Sequence, residues 1–198
     1  MKNVTKLAVG TLLFGSIMFT SACQTTGMHY TEWRLINPEQ ADLNIPSLIP
    51  AEMIKKVQTR TRDNKYVENE VALSSPNAEG SVFTERFQRG WYNPQVESQV
   101  RDRDAFLGRV DRYYQNPRQV APISYKGSVS GYSAIADRKS DGKACYVSFT
   151  GYDFMSYNGD RMDGVGKPDT LVSVSLCGEG ASGAVFAKLY SGIERNAK

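Results

Sequence analysis

Two neighbouring runs of alternating residues constrain the fold of this 198-residue chain more than any other feature. In the first run, residues 57–62, Val57, Thr59 and Thr61 share one face and polar side chains occupy the other. Residues 66–73 alternate in the same way, with valine and leucine on one face and glutamate on the other. Alternation with a period of two is typical of half-buried strands, so these runs predict a β-hairpin.

The parity of the two runs selects the turn between them. A two-residue loop would place Arg60 opposite an apolar valine, which would mix the two faces. A three-residue loop at residues 63–65 instead pairs like with like, Arg60 with Glu68 and Val57 with Val71. We therefore expect the three-residue loop, with the charged face in solvent and the valine face on the core.

The rest of the chain predicts an α+β domain. Further β segments are expected at residues 81–87, 123–137, 143–150, 171–177 and 184–190. One helix is expected between Asn93-Pro94 and Asn116-Pro117, with an apolar face formed by Val96, Val100, Leu107, Val110 and Tyr114. Gly108 weakens this helix, so we expect it either to be interrupted or to begin later, near Asp102 or Asp104. The predicted architecture is a mostly antiparallel β-sheet packed with one main α-helix.

The first two dozen residues form an export signal. Lys2 and Lys6 precede residues 7–19, a mostly apolar stretch without charge that is too short to span a bilayer. Thr20-Ser21-Ala22-Cys23 follows and resembles the lipobox of bacterial lipoproteins, although such motifs usually carry Leu where Thr20 stands. The alternative is an ordinary secretory signal cut near Ala22, which would leave Cys23 as a thiol.

The resemblance implies that Cys23 is the lipidated first residue of the mature protein. A diacylglyceryl group on its sulfur, and usually a third acyl chain on its amine, would anchor the protein durably in a bilayer. Gln24 stands where inner-membrane lipoproteins of enteric-type bacteria often carry Asp, which favours the outer membrane, on either its periplasmic or its outer face. Removal of residues 1–22 takes two lysines and no acidic residue, so the formal charge falls from +3 to +1.

The expected domain boundaries follow from these signals. Residues 1–22 form the removed signal peptide, and residues 23–50 form the lipidated N-terminus and a tether with scattered prolines. Residues 51–191 are expected to form the single globular α+β domain, and residues 192–198 a C-terminal tail.

The remaining cysteines, Cys145 and Cys177, predict one disulfide in the C-terminal β region. No C-x-x-C pair or cysteine–histidine arrangement suggests redox catalysis, and the only histidine, His29, lies in the predicted tether. Three Cys and one His are too few for a closed zinc site made of these residues alone. We therefore expect no metal, no cofactor and no catalytic residues.

Residues 151–169 are the candidate binding loop because a loop of this length commonly binds or moves. The candidate contacts are Tyr152, Tyr157, Asp160 and Asp163, whose aromatic faces and carboxylates suit a sugar or a protein partner. Clustered aspartates suggest calcium, but the EF-hand spacing is not met. A solvated connection with aromatic residues packed back on the sheet is the alternative.

Seven arginines between residues 86 and 118 lie among acidic residues, which is more typical of a salt-bridged surface than of a binding patch. The preferred function is a membrane-anchored envelope lipoprotein, a non-enzymatic accessory or assembly factor of secretion, pilus, conjugation or surface-exclusion type. Its expected partners are the lipid bilayer, through acylated Cys23, and an envelope protein or glycan, but not nucleic acid. The alternatives are a glycan- or peptidoglycan-binding module and a carboxylate-dependent glycan-cleaving enzyme.

Overall fold

Eight antiparallel strands form one sheet in the computed structural model, which describes residues 28–87, 100–125, 128–154 and 168–196. The strands are β1 (Arg34–Leu35), β2 (Ile54–Arg62), β3 (Tyr66–Ser74), β4 (Ala78–Phe87), β5 (Tyr114–Tyr125), β6 (Ser128–Arg138), β7 (Ala144–Tyr152) and β8 (Thr170–Gly178). Three α-helices, α1 (Ile45–Leu48), α2 (Arg103–Val110) and α3 (Ala187–Gly192), and short 3-10 helices at Pro38–Gln40, Ala51–Met53 and Gly183–Phe186 complete these parts of the chain.

The strand order is β1-β2-β3-β4-β8-β7-β6-β5, so the sheet consists of two meanders joined where β4 pairs with β8. The connection from β4 to β5 spans the width of the second meander and carries α2. The predicted mostly antiparallel sheet is therefore confirmed.

The first hairpin has the predicted register. Arg60 lies opposite Glu68 and Val57 opposite Val71. Asp63 and Asn64 have φ of 53° and 52°, as required by the primed turns that suit the twist of a hairpin. The charged face is not in solvent, however, because Glu68 is only 1% exposed.

Both faces of the sheet are covered. The first face carries the larger core, in which Val57, Val71, Val82, Val174 and Leu176 pack under residues 41–49 and 186–193. On the second face, Phe106 and Val110 of α2 pack over Ala134, Ala136, Val147 and the two cysteines. Central strands of a sheet covered on both faces lose the simple alternation between buried and exposed residues.

Helix α2 begins as predicted but ends early. The Asp102 carboxylate caps it by accepting hydrogen bonds from the backbone N–H of Asp104 at 2.7 Å and of Ala105 at 3.0 Å. The helix ends at Val110, and Tyr114 already belongs to β5. Val100 and Arg101 are also helical, while Asn93-Pro94 and Val96 lie outside the described residues. With eight residues, α2 is only two longer than α3, so the expectation of one main helix is met only in part.

Two predicted β segments differ from the structure. Residues 123–125 and 128–137 are β as predicted, but they belong to two strands, β5 and β6, instead of one. The prolines of β5 are tolerated because β5 is an edge strand. Residues 184–190 form a 3-10 helix followed by α3 instead of a strand. Phe186, Leu189, Tyr190 and Ile193 are buried there, and their spacing of three, one and three is that of a helix.

The folded domain is longer than expected at both ends. Ala41, Leu43, Ile45 and Ile49 belong to the main core, so the supposed tether is structured from residue 28 onward. At the other end, Ile193 is buried and Asn196 donates its backbone N–H to the Asp42 carbonyl at 3.2 Å. The described fold therefore includes residues on both sides of the expected 51–191 domain.

Candidate functional site

The segment that follows the predicted lipidation site is built into the first edge of the sheet. The backbone N–H of His29 donates to the Asp63 carboxylate, and the Asp63 N–H donates to the His29 carbonyl, both at 2.7 Å. Further along, the N–H of Thr31 donates to the Thr61 carbonyl at 2.9 Å and that of Ile36 to the Val57 carbonyl at 3.1 Å. Residues 28–36 therefore run antiparallel to β2, from its Arg62 end toward its start.

The Arg60 guanidinium contacts two aromatic side chains of this segment. It lies 4.2 Å from the centre of the Tyr30 ring and 4.4 Å from that of Trp33, so both rings make cation–π contacts with one charge. Arg60 Nε also donates to Glu68 Oε2 at 2.6 Å. The edge of the Trp33 ring meets Phe83, with 6.5 Å between centroids. The charged face of the first hairpin thus binds aromatic residues.

A chain of charges continues from Glu68 across the sheet. Arg62 lies 3.4 Å from Glu68 and 3.0 Å from Glu85, and its guanidinium stacks 4.1 Å above the Tyr66 ring. Glu68 therefore has two arginine partners, which explains how a carboxylate is tolerated at this depth.

The same segment carries three of the four large hydrophobic side chains that are exposed in the described ranges. Met28, Tyr30 and Leu35 are 67%, 45% and 75% exposed, and the fourth such side chain is Tyr113. We call residues Met28–Leu35 together with the 63–65 turn the N-terminal edge. The sequence pattern does not reveal this edge, because proline-containing residues 23–50 lack a regular period, although Tyr30 and Trp33 could have been matched to the arginines of β2.

The candidate binding loop lies mostly outside the described residues. Tyr157, Asp160 and Asp163 all fall there, so their role stays a prediction. Tyr152 is the last residue of β7 and is only 1% exposed. Its hydroxyl donates to the Tyr190 carbonyl at 3.3 Å, and its ring stacks on Phe154. Tyr152 therefore packs in the core and presents no ring to a partner.

A buried polar cluster lies beside this loop. Arg86 binds Asp42 through two hydrogen bonds, from Nε to Oδ2 and from Nη2 to Oδ1, the latter at 2.9 Å. Asp169 is 3% exposed, and its Oδ1 accepts from the Thr170 hydroxyl at 2.6 Å and the Phe154 N–H at 3.4 Å. Its Oδ2 has no hydrogen-bond partner in the described part of the chain. Burial raises the pKa of the Asp169 carboxyl, although Thr170 opposes the shift.

The raised pKa makes a prediction about stability. When a carboxyl binds its proton more tightly in the folded state, the folded protein loses stability as the pH rises from about 4 through the folded-state pKa of that carboxyl. We expect the free energy of unfolding of wild type to fall across this range relative to that of Asp169→Asn, as measured by urea denaturation at pH 4 and pH 7.

Asp137→Asn is the matched control. Hydrogen bonds from Arg118 and Asn116 lower the pKa of Asp137, so it titrates below pH 4 and should not change the slope above that pH. Parallel pH profiles for wild type and Asp169→Asn would contradict the assignment.

The predicted disulfide is confirmed. Cys145 and Cys177 are directly opposite each other on β7 and β8, with sulfurs 2.01 Å apart, and both are buried. Cys145 is the second residue of its strand and Cys177 the second-last of its own, so the bond lies at the strand ends. Cys177 does face away from Val174 and Leu176, toward the second face, which α2 covers.

The arginines between residues 86 and 118 have separate partners where the structure describes them. Arg86 is buried against Asp42, Arg109 lies 4.4 Å from the Phe149 ring centre, and Arg118 pairs with Asp137 at 2.8 Å. Arg89 lies outside the described residues. Among these three, Arg118 makes the surface ion pair that the alternating charges predicted, whereas Arg86 is buried and Arg109 contacts an aromatic ring.

Four broader observations concern metal binding, membrane spanning, lipidation and similarity to known proteins. The described ranges contain no group of three or more Cys, His, Asp or Glu residues placed to hold a metal ion. None of the helices in those ranges has the length and apolar character needed to cross a membrane. Cys23 lies outside the described residues, so lipidation stays a prediction. Comparison with protein-family models, curated proteins and solved structures finds no significant match.

Proposed function

We propose that this chain is an outer-membrane lipoprotein whose folded domain binds another envelope component and performs no catalysis. The observation that carries the proposal is how little chain separates Cys23 from the described fold, since Met28 follows five positions later and His29 is hydrogen-bonded to Asp63. A domain held this closely to an acylated cysteine is suited to work at the membrane surface. An accessory or assembly factor of a secretion, pilus, conjugation or surface-exclusion system must likewise act at the membrane surface.

The enzymatic alternative has less support. Glycan cleavage by carboxylates generally needs a pair, one of which is an acid with a raised pKa. Among the described residues Asp169 is the carboxyl with a raised pKa, and it is buried beneath Phe154 and Thr170. The glycan-binding alternative relied on loop aromatics, of which Tyr152 is buried. A protein partner is therefore the better proposal.

The test is photo-crosslinking in cells from position 157 of the candidate binding loop, with Ser140 in the exposed 139–142 turn as the control position. We expect wild type to fractionate with membranes and to give a discrete, protease-sensitive adduct from position 157 only. Cys23→Ser should release the protein from membranes and remove the adduct, because both require the anchor.

Each other outcome counts against part of the proposal. A ladder of crosslinked bands that is reduced to one band by digestion with a peptidoglycan hydrolase would favour the glycan-binding alternative. Membrane association of Cys23→Ser equal to wild type would contradict lipid anchoring. Equal crosslinking from positions 157 and 140 would remove the loop as the binding element.

A further inference from the structure

The short connection to Cys23 limits how the domain can be oriented. Met28 follows Cys23 by five positions, and a fully extended chain over that interval reaches at most about 18 Å. The next residue, His29, is fixed to Asp63 by the two hydrogen bonds described above, one to the backbone and one to the carboxylate of Asp63. The acylated sulfur would thus lie within roughly 25 Å of the 63–65 turn.

The register of the sheet shows which strand ends lie beside the 63–65 turn. Arg62 pairs with Tyr66, which pairs with Phe87, and the ends of β7 and β8 lie in nearly the same row because Tyr152 pairs with Thr170. The disulfide lies in a row at the other end, where Cys145 pairs with Cys177. Seven residues along β7 separate Cys145 from Tyr152, which places the two rows on the order of 20 Å apart.

The chemistry of the near end suits a lipid surface. Met28 and Tyr30 are exposed next to the anchor, and tyrosine is favoured at the boundary between lipid and water because its ring is apolar and its hydroxyl is polar. The exposed Lys65 ammonium in the adjoining turn can meet lipid phosphates. At the far end, Arg138 and Lys143 are instead paired with Glu79 and Asp141.

We propose that the domain stands on the bilayer through its N-terminal edge, with Met28, Tyr30 and Lys65 at the headgroups and the disulfide end pointing away. This inference rests on the proposed lipidation of Cys23. It adds a second membrane contact, made by protein side chains, to the acyl anchor. A partner must then meet the domain at the membrane surface, because the short connection from Cys23 to Met28 keeps the domain close to the bilayer.

The test measures the depth of two turns on acylated protein in vesicles of phosphatidylethanolamine and phosphatidylglycerol. A fluorophore is attached to Lys65→Cys in the near turn or to Ser140→Cys in the far turn, with the native disulfide kept oxidised. Phospholipid carrying a spin label on its headgroup acts as the quencher. We expect quenching about threefold stronger at position 65, because the turns differ in height by on the order of 20 Å.

The outcomes separate the orientation from the anchor. Protein that carries acyl chains by mass spectrometry and floats with the vesicles, but is quenched equally at both positions or more at 140, would overturn the orientation alone. Protein without acyl mass on Cys23 would overturn the anchor and the orientation together. Insertion of about twelve Gly/Ser residues before Met28 should reduce the difference between the positions, since such a linker spreads over about 20 Å. An unchanged difference would overturn the role given to the short connection.

Discussion

Replacing Asp42 by alanine is expected to lower the free energy of unfolding by about 3–5 kcal/mol, because it leaves the Arg86 guanidinium buried without its partner. The pair is 44 residues apart in sequence and joins the segment before α1 to the end of β4. The side chains of Asp42 and Arg86 are only 3% and 10% exposed, so water can replace the lost carboxylate only poorly.

Equilibrium urea denaturation of the oxidised protein measures this loss. Asp111→Ala, which removes a surface partner of Lys139, is the control and should leave the midpoint nearly unchanged. A loss below about 1 kcal/mol for Asp42→Ala would contradict the prediction and indicate that Arg86 finds a second anion. Asp169 is the candidate for that anion, because the Arg86 charge already acts on it. The double variant Asp42→Ala with Asp169→Asn would then show the full loss.

Removing the disulfide is expected to have an effect of similar size. The Cys145–Cys177 bond closes a loop with a sequence separation of 32, for which the chain-entropy model gives about 3–4 kcal/mol. At this chain length that loss corresponds to a fall in Tm of roughly 10 °C. The double variant Cys145→Ala with Cys177→Ala tests this by thermal unfolding, and it avoids leaving an unpaired buried thiol.

Reduction supplies the matching control. Dithiothreitol added to unfolded wild type should give a refolded protein whose Tm approaches that of the double variant, and the double variant should not respond to it. Equal Tm values for oxidised wild type and the double variant would mean that β7 and β8 are held by strand pairing and the packing of α2 alone.

Much of the first meander could be predicted because its signals are local. The register of β2 and β3 followed from parity, since a shift of one residue would have placed Arg60 opposite a valine. The later start of the helix, near Asp102 or Asp104, followed from the cost of Gly108 in the helix interior. Both features depend on residues within about fifteen positions of one another, so tertiary packing had little opportunity to override them.

Several of the errors concern segments whose burial depends on distant partners. Residues 184–190 contain as many apolar residues as a short strand, and only the spacing of Phe186, Leu189, Tyr190 and Ile193 identifies the helix. In β4, Val82, Thr84 and Arg86 share a face, so parity already placed Arg86 inward. The sequence does not show which residue pairs with Arg86, and burying an arginine without a partner is costly in free energy.

The sequence by itself determined the local pattern of this protein: the first hairpin, the antiparallel character of the sheet and the pairing of Cys145 with Cys177. The export signal and the lipidation of Cys23 stay predictions from the sequence. Only the tertiary structure decided that β4 joins β8, that Asp42 neutralises Arg86, and that residues 28–36 complete the sheet edge over Arg60. The physical reason is that periodicity and capping act between near neighbours, whereas the partner of a buried charge or strand edge depends on which distant segments pack together.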